Sequence, residues 1–392
     1  MNKGALAAVA ALVLTALAAG PVSASDQAST LARGSVTLID TQTNTRGATV
    51  PVGQLPTEIA LSPDGSTAYV MNSWSHTVSL VSRATGVLTS HTIKAGRYPG
   101  GIAMTPSGNR VFIARTPNDA TGSVLPVKTA TGVPGTAVYP PKQQGHILYR
   151  IAVSPNGRKV FAEERSLSGS WEGLLPIRTA GDRAGAPIKF GQWPYGIVSM
   201  VFTPDSKTLY VLSTNDKKAL LTPIQTATGK VGTPIKVWTP VVDMVMSPDG
   251  RYIYISDYYH SIVTVIRTST NSIVKRIPVN YAMALAMAPD GKTLYAGAAA
   301  PGTGTGEVIP ISTASNTAGA PITVSPDGDV TAIAVTPDGS AVYAALGFND
   351  EVVPIDIATQ TAQTPIPVGV HPALLALAKD GTLFVVNSPD ES

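Results

Sequence analysis

The stretch Ile59–Asn72, IALSPDGSTAYVMN, is two short apolar runs hinged on Ser62-Pro63-Asp64-Gly65. Proline presets φ for the second position of a turn, aspartate tolerates the third, and glycine accepts the positive φ that lets the chain re-enter a strand. The phrase therefore predicts a hairpin, with strand A over Ile59–Leu61 and strand B over Ala68–Met71. Strand C follows at Thr77–Ser82, TVSLVS, where apolar and polar residues alternate. A turn at Thr85-Gly86 leads into strand D around His91–Ala95.

The same corner recurs at Pro106, Pro155, Pro204, Pro248, Pro289 and Pro337, with a worn copy at Lys379-Asp380-Gly381. Successive spacings from Pro63 are 43, 49, 49, 44, 41, 48 and 42 residues. Periods of this length with four strand-like runs are the mark of a β-propeller blade, and the repeat overrides the two or three domains that length alone suggests. Strand C recurs as SVLPVKTATG, GLLPIRTAG, ALLTPIQTATG, SIVTVIRTST, EVIPISTAS and EVVPIDIATQ. Proline inside several of these runs predicts a place near the outer edge of the blade. The chain opens with a C-D pair, SVTLIDTQTNTRGATVPVG, and closes with an A-B pair, LLALAKDGTLFVVN. Joined, these halves complete an eighth blade; unpaired, they would leave a seven-bladed ring with loose tails. The expected fold is thus an all-β propeller of four-stranded blades, eight favoured over seven.

Tyr69-Val70-Met71-Asn72, with LFVVN at Leu383–Asn387 and LYVLS at Leu209–Ser213, resembles the YVTN-type β-propeller repeat family. The resemblance runs from about Gly34 to Ser388 and is specific for architecture rather than activity. It implies an extracellular or periplasmic protein; similar propellers include lactone hydrolases and substrate-binding or cell-surface modules. Val111–Arg115 and Val160–Glu164 depart from the pattern by placing charges at the Asn position.

The N-terminus carries Lys3, an apolar Ala5–Ala19 segment, a Gly20-Pro21 break and small residues to Ala24, as a secretory signal peptide requires. The expected layout is signal peptide 1–24, an extension over 25–34 and one propeller domain over 35–392. The mature protein is expected to be a secreted monomer, without a membrane span. The chain has no cysteine, which excludes disulfides and thiolate metal sites. A net charge of +3 with no basic run gives no footprint for nucleic acid.

In a propeller the A-B and C-D turns leave one face, and the B-C and D-A loops leave the other. Trp74, His76, Tyr258, Tyr259, His260, Asn349 and Asp350 map to B-C loops or adjoining strand ends; Tyr98, His146, Trp193, Tyr195, Tyr281 and His371 map to D-A loops. Four of the five histidines thus share a face. Glu58, Arg150 and Asp243, with Tyr149 beside them, begin A strands and are placed at the channel mouth. Asp257 and His260 are the only close acid-histidine pair, and Tyr258-Tyr259 beside them suits stacking on a planar or sugar-like ligand. The charged segment Glu163–Glu172 reads as a longer B-C loop in the third blade, either a specificity loop or a solvated hairpin extension.

No nucleophile elbow stands out, GTGTGE at Gly302–Glu307 opens no helix, and the corner aspartates follow from turn chemistry. No catalytic residue, metal ligand or cofactor is assigned. Two functions stay open: a non-enzymatic module whose loop face binds a protein, glycan or small ligand, and a hydrolase or lyase acting on a lactone-like or sugar-derived molecule at the channel mouth.

Overall fold

The computed structural model describes residues 32–116, 121–141, 145–168, 171–191, 196–215 and 217–389. The expected signal peptide lies outside these residues. The first corner is the hairpin its sequence requires. The Gly65 N–H donates to the Ser62 carbonyl at 2.8 Å, and Gly65 takes φ 68°. The Ser62 hydroxyl donates to Asp64 Oδ1 at 2.6 Å, which holds that exposed carboxyl low, at about 2. Strands Pro56–Leu61, Thr67–Asn72, Thr77–Ser82 and Val87–Lys94 pair in that order as the first blade. Strand A begins three residues earlier than expected, and strand D begins earlier and ends one residue sooner.

Eight such sheets close into an eight-bladed β-propeller. The chain ends meet: Arg33–Asp40 lies antiparallel to Thr382–Asn387, from Ser35 opposite Asn387 to Asp40 opposite Thr382. Both terminal hairpins therefore share one sheet, which rules out the seven-bladed alternative. Blade 2 has three strands, Pro99–Met104, Arg110–Arg115 and Ser123–Lys128, and its fourth position is marked only by isolated bridges from Val124 to Val138 and from Val127 to Pro134.

Every strand B carries a buried or nearly buried aromatic ring: Tyr69, Phe112, Phe161, Tyr210, Tyr254, Tyr295, Tyr343 and Phe384. In five blades this ring stands opposite a proline of strand C, as Phe112 does with Pro126, Phe161 with Pro176, Tyr210 with Pro223, Tyr295 with Pro310 and Tyr343 with Pro354. These prolines lie in the third strand, next to the outermost, as expected from the sequence. Their missing N–H interrupts the fourth strand. The proline carbonyl accepts an N–H from Gly135, Gly185, Gly232, Gly319 or Gln363, and the fourth strand is short or split there. Blades without the proline keep long fourth strands, Val87–Lys94, Ser272–Pro278 and Thr45–Gln54.

The core lies between blades. Tyr69, Met71 and Val78 of blade 1 pack on Ile102, Val111 and Leu125 of blade 2, and comparable clusters recur at the other seams. Each fully buried large side chain contributes about 1.5–3 kcal/mol. The corners add a second contact, since a Cβ at Gly108 would come within 2.7 Å of Pro63 and one at Gly250 within 2.6 Å of Pro204. The corner glycines Gly108, Gly157, Gly250, Gly291 and Gly339 thus face the proline of the preceding blade, whereas Gly65 faces Ala378.

Candidate functional site

The antiparallel order of each blade sends the B-C turns and D-A loops to one face. Three B-C turns are built alike there. Trp74, Tyr259 and Phe348 each stand two residues beyond the end of strand B and are 49 %, 56 % and 53 % exposed. Two residues further on, His76, Ser261 and Asp350 take positive φ of 56°, 54° and 57° and return the chain into strand C. The following D-A loop answers with a second strained residue ahead of strand A: Tyr98, Tyr281 and His371 have φ of 47°, 46° and 53°. Non-glycine residues in this region cost about 1–3 kcal/mol each and gather at functional surfaces.

The turn and the loop meet through rings. His76 packs edge-on against Tyr98 at 5.4 Å, Phe348 packs edge-on against His371 at 5.7 Å, and Tyr258 packs at a tilt against Tyr281 at 5.1 Å. Further exposed apolar groups on this face are Tyr98, Leu167, Trp238 and Val370. Trp238 and Phe348 went unmarked in the sequence, although the equivalence of Phe348 with Trp74 was readable from their shared spacing to the corner motif.

Several marked residues are not displayed. Asp257, Tyr258 and His371 are buried. Burial lowers the His371 ring below its ordinary range, against the pull of nearby Asp350. His76 is likewise lowered, chiefly by burial. Trp193 and Tyr195 lie outside the described residues.

Glu58, Arg150 and Asp243 also have occupations other than the one expected. Strand A carries a bulge at Pro56/Glu58, Leu148/Ile151 and Val241/Met244, and a bulge re-aims the side chain beside it. Glu58 Oε2 accepts the Ile102 N–H of blade 2 at 2.7 Å. Arg150 Nε donates to the Ile197 carbonyl of blade 4 at 2.6 Å. Asp243 Oδ2 accepts the Leu285 N–H of blade 6 at 2.8 Å. All three are struts from one innermost strand to the next. Burial pushes the Glu58 carboxyl up to about 7, opposed by Arg150 and the Ile102 N–H, and it raises Asp243 as well.

The charged residues of the Glu163–Glu172 segment do not form a solvated hairpin extension. They sit in strands Lys159–Ser166 and Glu172–Arg178 and are almost fully buried. Arg165 pairs with Glu163, lies 3.9 Å from Glu172, and sets its guanidinium 5.2 Å from the Tyr149 ring. Burial and the Glu163 charge push the Glu172 carboxyl up to about 9, and burial pushes Glu164 to about 7.

Strand B ends in the position at which the blades differ most. Three residues after the strand-B aromatic stand Asn72, Arg115, Glu164, Ser213, Asp257, Ala298, Leu346 and Asn387. Asn72 uses its amide structurally, donating to Ser79 Oγ at 2.9 Å and accepting the Gly53 N–H at 3.1 Å. Glu164 and Asp257 instead each stand 2.7 Å from the Nδ1 of a histidine, His146 and His260. Among the described residues no group of three or more histidine or carboxylate side chains is arranged to hold a metal ion.

No family model matches the chain, and no curated protein matches it. Among solved structures it is similar to Kuenenia stuttgartiensis hydrazine synthase, at 22% identity and TM-score 0.58, covering 78% of this chain and 96% of that one. It is also similar to the dihydro-heme d1 dehydrogenase NirN in complex with DHE, at 14% identity and TM-score 0.70, covering 86% of this chain and 73% of that one. At these identities the likeness defines the class, a β-propeller, and nothing finer.

Proposed function

We propose that this protein is an exported, non-enzymatic propeller of the YVTN type whose B-C and D-A loop face binds a partner with flat apolar surfaces, such as a glycan, a small ring compound or an aromatic side chain of a protein. The observation that carries the reading is the repeated display of a half-exposed ring at equivalent turn tips, Trp74, Tyr259 and Phe348, over a rigid eight-bladed base. Aromatic rings left about half exposed at turn tips keep a large apolar surface available, and rings of this kind supply contact area at low entropic cost.

The alternative, a hydrolase or lyase at the channel mouth, needs acid and base groups available to a substrate. The commitment of Glu58, Arg150 and Asp243 to backbone partners of neighbouring blades counts against it. The test is a glycan and small-ring binding screen with the wild type and with the Trp74→Ala/Tyr259→Ala/Phe348→Ala variant. Expected are binding by the wild type, a loss of at least tenfold in the variant, and a melting temperature within about 2 °C of wild type, as surface changes allow. Equal binding by the two proteins would reject the loop face.

A further inference from the structure

Blade 5 carries a built corner on this face. The Asp257 side chain, 2 % exposed, uses both carboxylate oxygens on one residue: Oδ1 accepts the main-chain N–H of His260 at 3.0 Å, and Oδ2 accepts its ring Nδ1–H at 2.7 Å. With Nδ1 anchored inward, the ring turns its Nε2 edge outward, and the His260 side chain is 44 % exposed. The Trp238 ring packs against the imidazole at 5.0 Å and keeps 47 % of its surface open. The Arg276 guanidinium lies 4.8 Å from the Trp238 ring centre.

The same four parts recur in blade 3. Glu164 holds His146 at 2.7 Å, His146 packs on Trp171 at 5.6 Å, and Lys189 lies 4.4 Å over the Trp171 ring. The carboxylates occupy equivalent positions, but the histidines and tryptophans come from different loops. The fold does not demand the set, because the equivalent position is amide, hydroxyl, apolar or Arg115 in the other blades. In blade 3 the imidazole is 12 % exposed, so that copy is closed; in blade 5 it is open.

We infer that the Asp257–His260–Trp238–Arg276 corner of blade 5 binds the carboxylate of an acidic ring ligand, either a uronic-acid sugar or an aromatic acid. The inference rests on the loop-face reading and names its ligand chemistry. A carboxylate bound at this corner would be met by the Arg276 guanidinium beside Trp238 and by the outward edge of His260, which donates from Nε2 when the ring carries both protons. Charge-assisted bonds of this sort are about twice as strong as neutral ones. Trp238 and the neighbouring Tyr259, 56 % exposed, offer apolar faces to the ring that bears the carboxylate. Asp257 acts as a positioning residue: it accepts the Nδ1–H and so aims the Nε2 edge of His260 outward.

The test is titration of the full chain, followed by tryptophan fluorescence and calorimetry, with digalacturonate and phenylacetate, and with galactose and phenylacetamide as neutral counterparts. Expected is binding of one acidic probe, which identifies the ligand source, at least tenfold tighter than its counterpart. His260→Ala and Arg276→Gln should each weaken it tenfold or more, while Lys207→Gln/Lys292→Gln, at exposed A-B corners of the opposite face, leaves it within threefold. For Asp257→Asn, the ring 15N shift of Nδ1 should report loss of its carboxylate partner, together with weaker binding. Acidic probes that bind no better than neutral ones, that ignore His260 and Arg276, or that fail to bind at millimolar concentration overturn the corner site. If some probe still binds and Trp74→Ala/Phe348→Ala weakens it, the corner fails while the loop face stands.

Discussion

Gly250 shows how much one residue of the corner motif carries. It has φ 71°, and a Cβ there would stand 2.6 Å from Pro204 Cδ of the preceding blade. Gly250→Ala therefore combines backbone strain with a clash at a seam, and it should cost about 1–3 kcal/mol, read as a lower midpoint in urea denaturation. Blade 4 has Ser206 in the equivalent slot at φ 61°, with its hydroxyl accepting the Asn156 N–H of blade 3 at 3.0 Å. Ser206→Ala should lose that bond at a cost of about 1 kcal/mol, measured in the same way. The corners were readable because proline, aspartate and glycine act through their own φ preferences. The roles of Glu58, Arg150 and Asp243 were not, since they depend on which backbone group the next blade brings within reach.

At the scale of the strand, one proline in strand C breaks strand D beside it, so in five blades the outer edge follows from a single residue of the third strand. That link is local and was open to a reading of the sequence. The charged B and C strands of blade 3 were not, because the pattern Glu-Glu-Arg suggests solvent, and only the packing around them, including His146 and Tyr149 of the same blade, shows otherwise. Burying these carboxylates has a measurable consequence. Glu172 rises from an ordinary 4.5 to about 9, and Glu164 from 4.5 to about 7. The native state holds protons here that the unfolded chain has released. The associated stability is fully present below about pH 4.5 and is lost as the pH rises through 7 and then 9. Thermal melts should show the melting temperature falling across that range. Glu172→Gln should remove the decline near pH 9 and keep the one near pH 7; an unchanged alkaline limb would refute the assignment.

For the whole molecule, the decisive element is the sheet shared by the two ends of the chain. Its existence was legible from counting half-units, because a propeller leaves no place for an unpaired C-D hairpin. Residues 33–54 supply two of its four strands. Deleting them exposes the edge of Thr382–Asn387 and removes Val36, Leu38, Val50 and Val52, which uncovers Phe384 and Val386 of the same cluster. The truncated chain should aggregate or lose its cooperative melt, whereas the same segment added as a separate peptide should restore part of it. Circular dichroism melts with and without the peptide distinguish these outcomes.

The direction of the closing strands also sets how the ring responds to force. Because Ser35 lies opposite Asn387, the first strand enters and the last strand leaves at the same end of their ladder. Tension applied through the two ends of the chain would load its rungs one after another, as in opening a zipper, instead of shearing them together. Held by both ends, the molecule yields at its seam first, and single-molecule stretching should record a weak initial rupture before the remaining blades unravel.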